Sequence, residues 1–287
     1  MSVPESAAPV TVFPTGWRLA LVQVRAMLGL ELRKTFLRAR ALPVVVIALM
    51  PAALLATRAI AVAVTGAHAD PAAEMATAYA GIFQLFFVRL VVFFCCFAIF
   101  SYLVRGEIAE RSLHFYLLAP MRREVFLAGK YVAGCVAAGT LLVASLALQL
   151  GFGFLAGATY GGTEYLLHGP GAGQALAYAG VTLLAVAGYG AVFTALALSV
   201  RNPMIPAAAI LGWEWLLFLL PPALKNVSVI HHLQSLCPVP VPARLFAVAG
   251  EPTPPLAAVG GLLVLVALLL AWAARRARRL EVSYSGD

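Results

Sequence analysis

Apolar residues in this chain gather in six long runs, separated by segments that hold most of its charge. The runs are residues 42–64, 82–104, 131–155, 174–199, 204–224 and 256–274, which fill about half of the 287 positions. At ~1.5 Å of rise per residue, crossing a hydrocarbon core of ~30 Å takes roughly 20 residues. The pattern therefore predicts an all-α membrane protein with six transmembrane helices. Residues 17–40 differ. Trp17, Leu21, Val24, Leu28 and Leu32 form one helical stripe; Arg18, Arg25, Arg33 and Arg40 share another face; Glu31, Lys34 and Arg38 flank the far side of the stripe. This spacing predicts an amphipathic helix lying in the membrane interface, apolar face in acyl chains and basic face toward headgroups.

Breakers and small residues refine the runs. Pro51 lies inside the first run and should kink it by removing a backbone donor. Pro221 and Pro222 end the fifth, and Pro252, Pro254 and Pro255 precede the sixth. Arg201-Asn202-Pro203 predicts a tight turn that makes runs four and five an antiparallel hairpin. Gly153, Gly157 and Gly161, and Ala187, Ala191 and Ala195, recur every fourth residue, a spacing that lets helices approach closely. The segment 225–255 is too long for a simple connector and too apolar for a solvated one. Short helices resting on or dipping into the outer leaflet are expected there.

Composition agrees: 62% of residues are hydrophobic and 11% charged, against about 25% charged in soluble domains. The charge distribution sets orientation. With the N-terminus inside, sixteen of the 20 Lys and Arg fall on inner segments: six in the first forty residues, five between Arg105 and Lys130, Arg201, and four between Arg275 and Arg279. Only Lys225 and Arg244 fall outside. By the positive-inside rule both termini are cytoplasmic. The net charge of +8 then points to anionic membrane lipid as a partner. No compact basic domain is present to hold nucleic acid. Residues 1–16 lack a basic start and an apolar run, so they are expected to be a flexible N-terminus and no signal peptide.

Some residue types raise chemistry. Glu214 lies ten residues into the fifth run, ~15 Å deep at 1.5 Å each, and Arg89 seven residues into the second, ~10 Å deep. Either charge alone would cost about 2.5–3.5 kcal/mol at a helix centre. The two are expected to approach one another or to share a polar pathway. Arg58 lies near the outer edge and can snorkel. Cys95, Cys96, Cys135 and Cys237 make no disulfide framework. His231, His232 and Cys237 match no strong metal-ligand spacing. Neither a His-Glu-x-x-His nor a Gly-x-Ser-x-Gly string occurs, and no catalytic residue, metal or bound cofactor is expected.

The inner segment 105–130 is the most specific feature. Glu107 and Glu110 open a charged helix start. Leu113, Phe115, Tyr116, Leu117 and Leu118 follow as an apolar patch, Pro120 breaks it, and a second helix begins near Arg122. An apolar patch between charges, facing the cytoplasm, needs a protein partner or the bilayer edge. The string resembles the membrane subunits of type-2 ATP-binding-cassette (ABC) exporters, at Glu107, Leu113, Leu117, Pro120, Arg123, Gly129 and Lys130. Arg111-Ser112 stands where Gly-Thr is usual, and Tyr116 where Leu is usual. The basic stretch Leu30–Arg40 also resembles that family's elbow helix.

The resemblance implies an order of parts: an elbow helix at 17–40, a six-span domain at 41–275 with a coupling loop at 105–130 and an outer loop at 225–255, and a cytoplasmic tail at 276–287. It implies that Glu107, Glu110, Arg111, Leu113, His114, Tyr116, Leu117, Pro120 and Arg123 dock on a separate cassette ATPase. That subunit would hold ATP and Mg, since Gly129-Lys130-Tyr131 fails as a phosphate-binding loop. It also implies a second permease copy, identical or related, and a bacterial cytoplasmic (inner) membrane. Transport as half of an exporter is the expected function. A non-transport scaffold or mechanotransmission subunit on the same fold is the alternative.

Overall fold

The computed structural model describes residues 17–37, 41–66, 68–109, 123–157, 159–216, 225, 227–241 and 254–278. It is an all-α structure with five helices long and apolar enough to cross a membrane. These are α2 (Leu42–Thr65); a composite of α3 (Ala72–Gly81), a π-helical segment (Ile82–Val92) and α4 (Phe93–Ala109); α5 (Arg123–Leu150) with a π-helical extension Gly151–Leu155; α7 (Gly171–Ser199); and α10 (Pro255–Arg278). Helix α1 (Trp17–Leu37) precedes them, and α6 (Gly162–Leu167), α8 (Met204–Trp215) and α9 (Val229–Gln234) are shorter. Two bridging pairs, Asp70 with Thr159 and Pro71 with Tyr160, tie the loop after α2 to the loop after α5 in parallel.

Helix α7 is the hub, with α4, α5, α9 and α10 around it. Its buried residues run round most of its circumference, so it meets protein on nearly every side. Small residues make this possible. A Cβ at Gly190 of α7 or at Gly134 of α5 would stand 2.5 Å from the Phe100 ring of α4. Phe100 is thus a wedge between the two glycines. Ala191 and Ala195 are buried as the small-residue spacing predicts. Phe93 packs edge-on against Tyr189 and Phe193, with centroids 5.4 and 5.0 Å away.

Proline chemistry shapes α2. Pro51 sits inside the helix and is buried, and one turn before it the Ala48 carbonyl accepts a 2.5 Å hydrogen bond from Ser145 Oγ of α5. Ser145 itself accepts from Gln149 Nε2 at 3.1 Å. The backbone beside the proline thus gains a donor from a neighbouring helix, although the carbonyl that the proline itself leaves without its helical donor is that of Ile47.

Several expectations need correction. The second crossing starts ten residues earlier than its apolar run, at Ala72, and Arg89 lies 17 residues into it rather than seven. α10 continues to Arg278, past the expected domain end. Gly157 and Gly161 adopt φ of 76° and 67°, left-handed turn conformations after the helix rather than a packing face. In α1 the residues buried against protein are Met27 and Glu31, whereas Leu21 of the apolar stripe is exposed. The fifth run, expected as a span over 204–224, is helical only over Met204–Trp215 among the described residues; residues 217–224 lie outside them. At ~1.5 Å per residue, twelve residues reach ~18 Å, about half the bilayer's apolar thickness.

Segment 225–255 contains one short helix among its described residues, α9. Val229, Ile230 and Leu233 are buried, and α9 packs on α7, α10 and the π-helical segment. A Cβ at Gly188 of α7 would meet Val229 at 2.8 Å, and one at Gly261 of α10 would meet His232 at 2.6 Å. Gly188 is eleven residues from the C-terminal end of α7, ~16 Å along the axis.

Candidate functional site

The break between α8 and α9 brings charge into the protein interior. Glu214 is one residue from the C-terminus of α8 and 3% exposed. Its Oε2 accepts a 2.7 Å hydrogen bond from the Tyr189 hydroxyl of α7. Its Oε1 accepts a longer one, 3.4 Å, from Ser228 just before α9, and the Ile230 backbone N–H also faces the carboxylate. Tyr189 lies ten residues from the end of α7 and Glu214 ten from the start of α8, so the hairpin places both ~15 Å from its turn. Irregular backbone at that depth persists only where protein or a polar cavity surrounds it.

Arg89 approaches from the opposite side. It occupies the π-helical segment and is 2% exposed. Such segments carry one extra residue per turn and recur at functional sites. Its guanidinium carbon stands 5.4 Å from the centre of the Trp215 ring, within cation–π range. Its charge and that of Glu214 act favourably on one another. Yet no direct ion pair joins them, and among the described residues Arg89 Nε has no hydrogen-bond partner. The structure thus puts Arg89 and Glu214 in one polar cluster without closing them on each other.

Sequence reasoning did not single out Tyr189, Ser228 or Trp215 as partners. Tyr189 carried a weak signal, a phenol in an otherwise aliphatic run. Ser228 carried none.

The predicted coupling residues divide. Glu110, Arg111, Leu113, His114, Tyr116, Leu117 and Pro120 lie outside the described residues. Glu107 falls on the last turn of α4. Arg123 opens α5, and its Nη1 donates to the carbonyls of Arg278 at 3.0 Å and Ala277 at 3.5 Å. Arg278 in turn pairs with Glu124. The head of α5 and the end of α10 are thereby clasped. Arg105 donates to the Ala197 carbonyl at 3.3 Å and also to that of Val200, and Arg276 donates to Ser199 at 3.4 Å. These cations complete the carbonyls left over at the end of α7.

Two turns further along α5, Lys130 and Glu31 of α1 form a buried ion pair of 2.7 Å. Met27 lies against Gly129, where a Cβ would meet its sulfur at 2.9 Å. Helices α1, α5 and α10 are therefore cross-linked through the first two turns of α5.

Near the C-terminal end of α2, Arg58 pairs with Asp70 at 2.5 Å. His231 and His232 lie edge to face, ring centres 5.5 Å apart; among the described residues no three His, Cys, Asp or Glu group as metal ligands. Compared with models of known protein families and with curated proteins, the chain matches none of them.

Proposed function

We propose that the chain is one permease half of an ATP-driven exporter of the type-2 ABC kind. It crosses the membrane six times with both termini in the cytoplasm, its fifth crossing broken between α8 and α9. Helix α1 acts as the elbow helix at the inner interface. Segment 107–120, with Arg123, docks on a separate ATPase, which holds and hydrolyses ATP with its Mg. A second copy completes the pathway in a bacterial cytoplasmic membrane.

The observation that supports this reading best is the clasp on the start of α5, the helix that follows that segment in the chain. Lys130–Glu31 ties α5 to α1, and Arg123 ties α5 to α10. A push on the segment would reach three helix ends together, because packed and hydrogen-bonded elements move as units rather than deforming continuously. The apolar patch Leu113–Leu118 supplies the docking surface and the flanking charges its register.

The test is co-purification with a cassette ATPase encoded beside this chain. Glu110→Lys and Tyr116→Ala are expected to abolish association and the permease-stimulated ATPase rate. If both variants associate and stimulate as the parent does, segment 107–123 is no coupling element.

A further inference from the structure

We propose that one water molecule binds inside the protein, in the cavity between α3, α6 and the N-terminal part of α7, held by the hydroxyls of Tyr178, Tyr79 and Tyr165.

One buried group raises the question. Tyr178 of α7 is 2% exposed, yet its hydroxyl meets no hydrogen-bond partner among the described residues. An orphaned donor away from water costs free energy, and hydrocarbon offers it no substitute. The Tyr178 ring is closely packed, edge-on to Tyr79 at 5.4 Å and 4.5 Å from Phe83, centre to centre. That packing fixes where the hydroxyl points.

Beside the ring there is room for a small polar molecule. Tyr178, Tyr79, Tyr165, Gln174, Phe154 and Leu150 line a cavity that leaves about 10 Å³ for the centre of a water-sized sphere, which suits one water. Its wall at the corner between α6 and α7 is tight, since a Cβ at Gly171 would stand 2.7 Å from the Tyr165 carbonyl oxygen. Small cavities stay dry when their lining is apolar and take up water when polar groups converge on them. Here the Tyr178 phenol is within electrostatic reach of both Tyr79 and Tyr165.

Donors and acceptors balance. Tyr165 donates to Gln174 Oε1 at 2.9 Å, and Tyr79 donates to Gln149 Oε1 at 3.5 Å. Both hydroxyls are left as acceptors, whereas Tyr178 has its donor free. A water among them accepts from Tyr178 and gives its hydrogens to Tyr165 and Tyr79. That is the complement of about three bonds typical of a buried water. Beyond Gln149 the hydrogen bonds continue to Ser145 and the Ala48 carbonyl. The water therefore joins the polar groups of α6 and α7 to those of α3, α5 and α2 in one line through an otherwise apolar interior.

The site depends on neither transport nor ATPase docking, and two measurements on the full chain in nanodiscs test it. Brief X-ray irradiation makes hydroxyl radicals from water, and mass spectrometry reads which side chains they modify. Tyr178 and Tyr79, 2% and 1% exposed, are expected to be modified severalfold faster than the equally buried rings of Phe100 and Phe193. The second measurement is the unfolding midpoint of Tyr178→Phe. A hydroxyl bonded to water is lost at a cost, so the midpoint should fall; removing an orphaned hydroxyl would raise it. Modification of Tyr178 no faster than that of Phe100, or a midpoint that holds or rises in Tyr178→Phe, overturns the site.

Discussion

The ion pair between Lys130 and Glu31 offers a quantitative test of how α1 is held. The side chains are 1% and 5% exposed and 2.7 Å apart. At an effective dielectric of about 20, that separation gives an attraction of about 6 kcal/mol. Withdrawing each ion from water costs several kcal/mol. The two nearly cancel, so the pair adds little net stability, but neither charge tolerates loss of the other. Glu31→Leu and Lys130→Met are each expected to cost about 3–5 kcal/mol, because each strands a buried charge. The double variant, which leaves an apolar contact of similar volume beside Met27 and Phe126, should lie within about 1 kcal/mol of the parent. Equilibrium unfolding in mixed detergent micelles, followed by far-UV circular dichroism, measures all four proteins. Single losses that add to within about 0.5 kcal/mol in the double variant would mean the two sites do not couple, and α1 would not be anchored through this contact.

Other contacts give sharper contrasts. The Arg58–Asp70 pair, with side chains 27% and 55% exposed, should contribute less than about 1 kcal/mol, so Asp70→Asn leaves the unfolding midpoint nearly unchanged. Gly190→Ala should cost about 1–3 kcal/mol by driving a methyl into Phe100, and Phe100→Leu should restore part of that loss in the same titration. Tyr189→Phe removes the 2.7 Å donor to Glu214 and should cost about 1–3 kcal/mol in the same titration.

Hydropathy made the long helices legible, because a helix that must bridge hydrocarbon needs length and apolarity and little else. The same insensitivity hid the details. Leu216, Leu217, Phe218, Leu219 and Leu220 keep the fifth run apolar beyond Trp215, so a hydropathy window cannot sense that α8 stops there. The π-helical segment is equally invisible, since Ile82–Val92 is apolar on most faces and its period leaves no imprint.

In α1 the stripe itself was legible, but its contacts were not: Glu31 is buried against protein, 99 positions from the lysine it pairs with. Arg89 and Glu214 were legible as costly charges. Their surroundings were not, because Tyr189 and Ser228 gain their role only from where α7 and α9 come to rest.

The account depends most on which side of the membrane each loop occupies. Single cysteines at Ser112 and at Tyr160, an 80% exposed residue of the connection between α5 and α6, report this in a chain whose native cysteines are replaced. Intact cells are treated with a membrane-impermeant maleimide before and after permeabilisation. Labelling of position 160 in intact cells, with position 112 reactive only after permeabilisation, is the predicted result. Labelling of position 112 from outside intact cells would contradict the orientation, and with it the proposal that an ATPase acts on this segment.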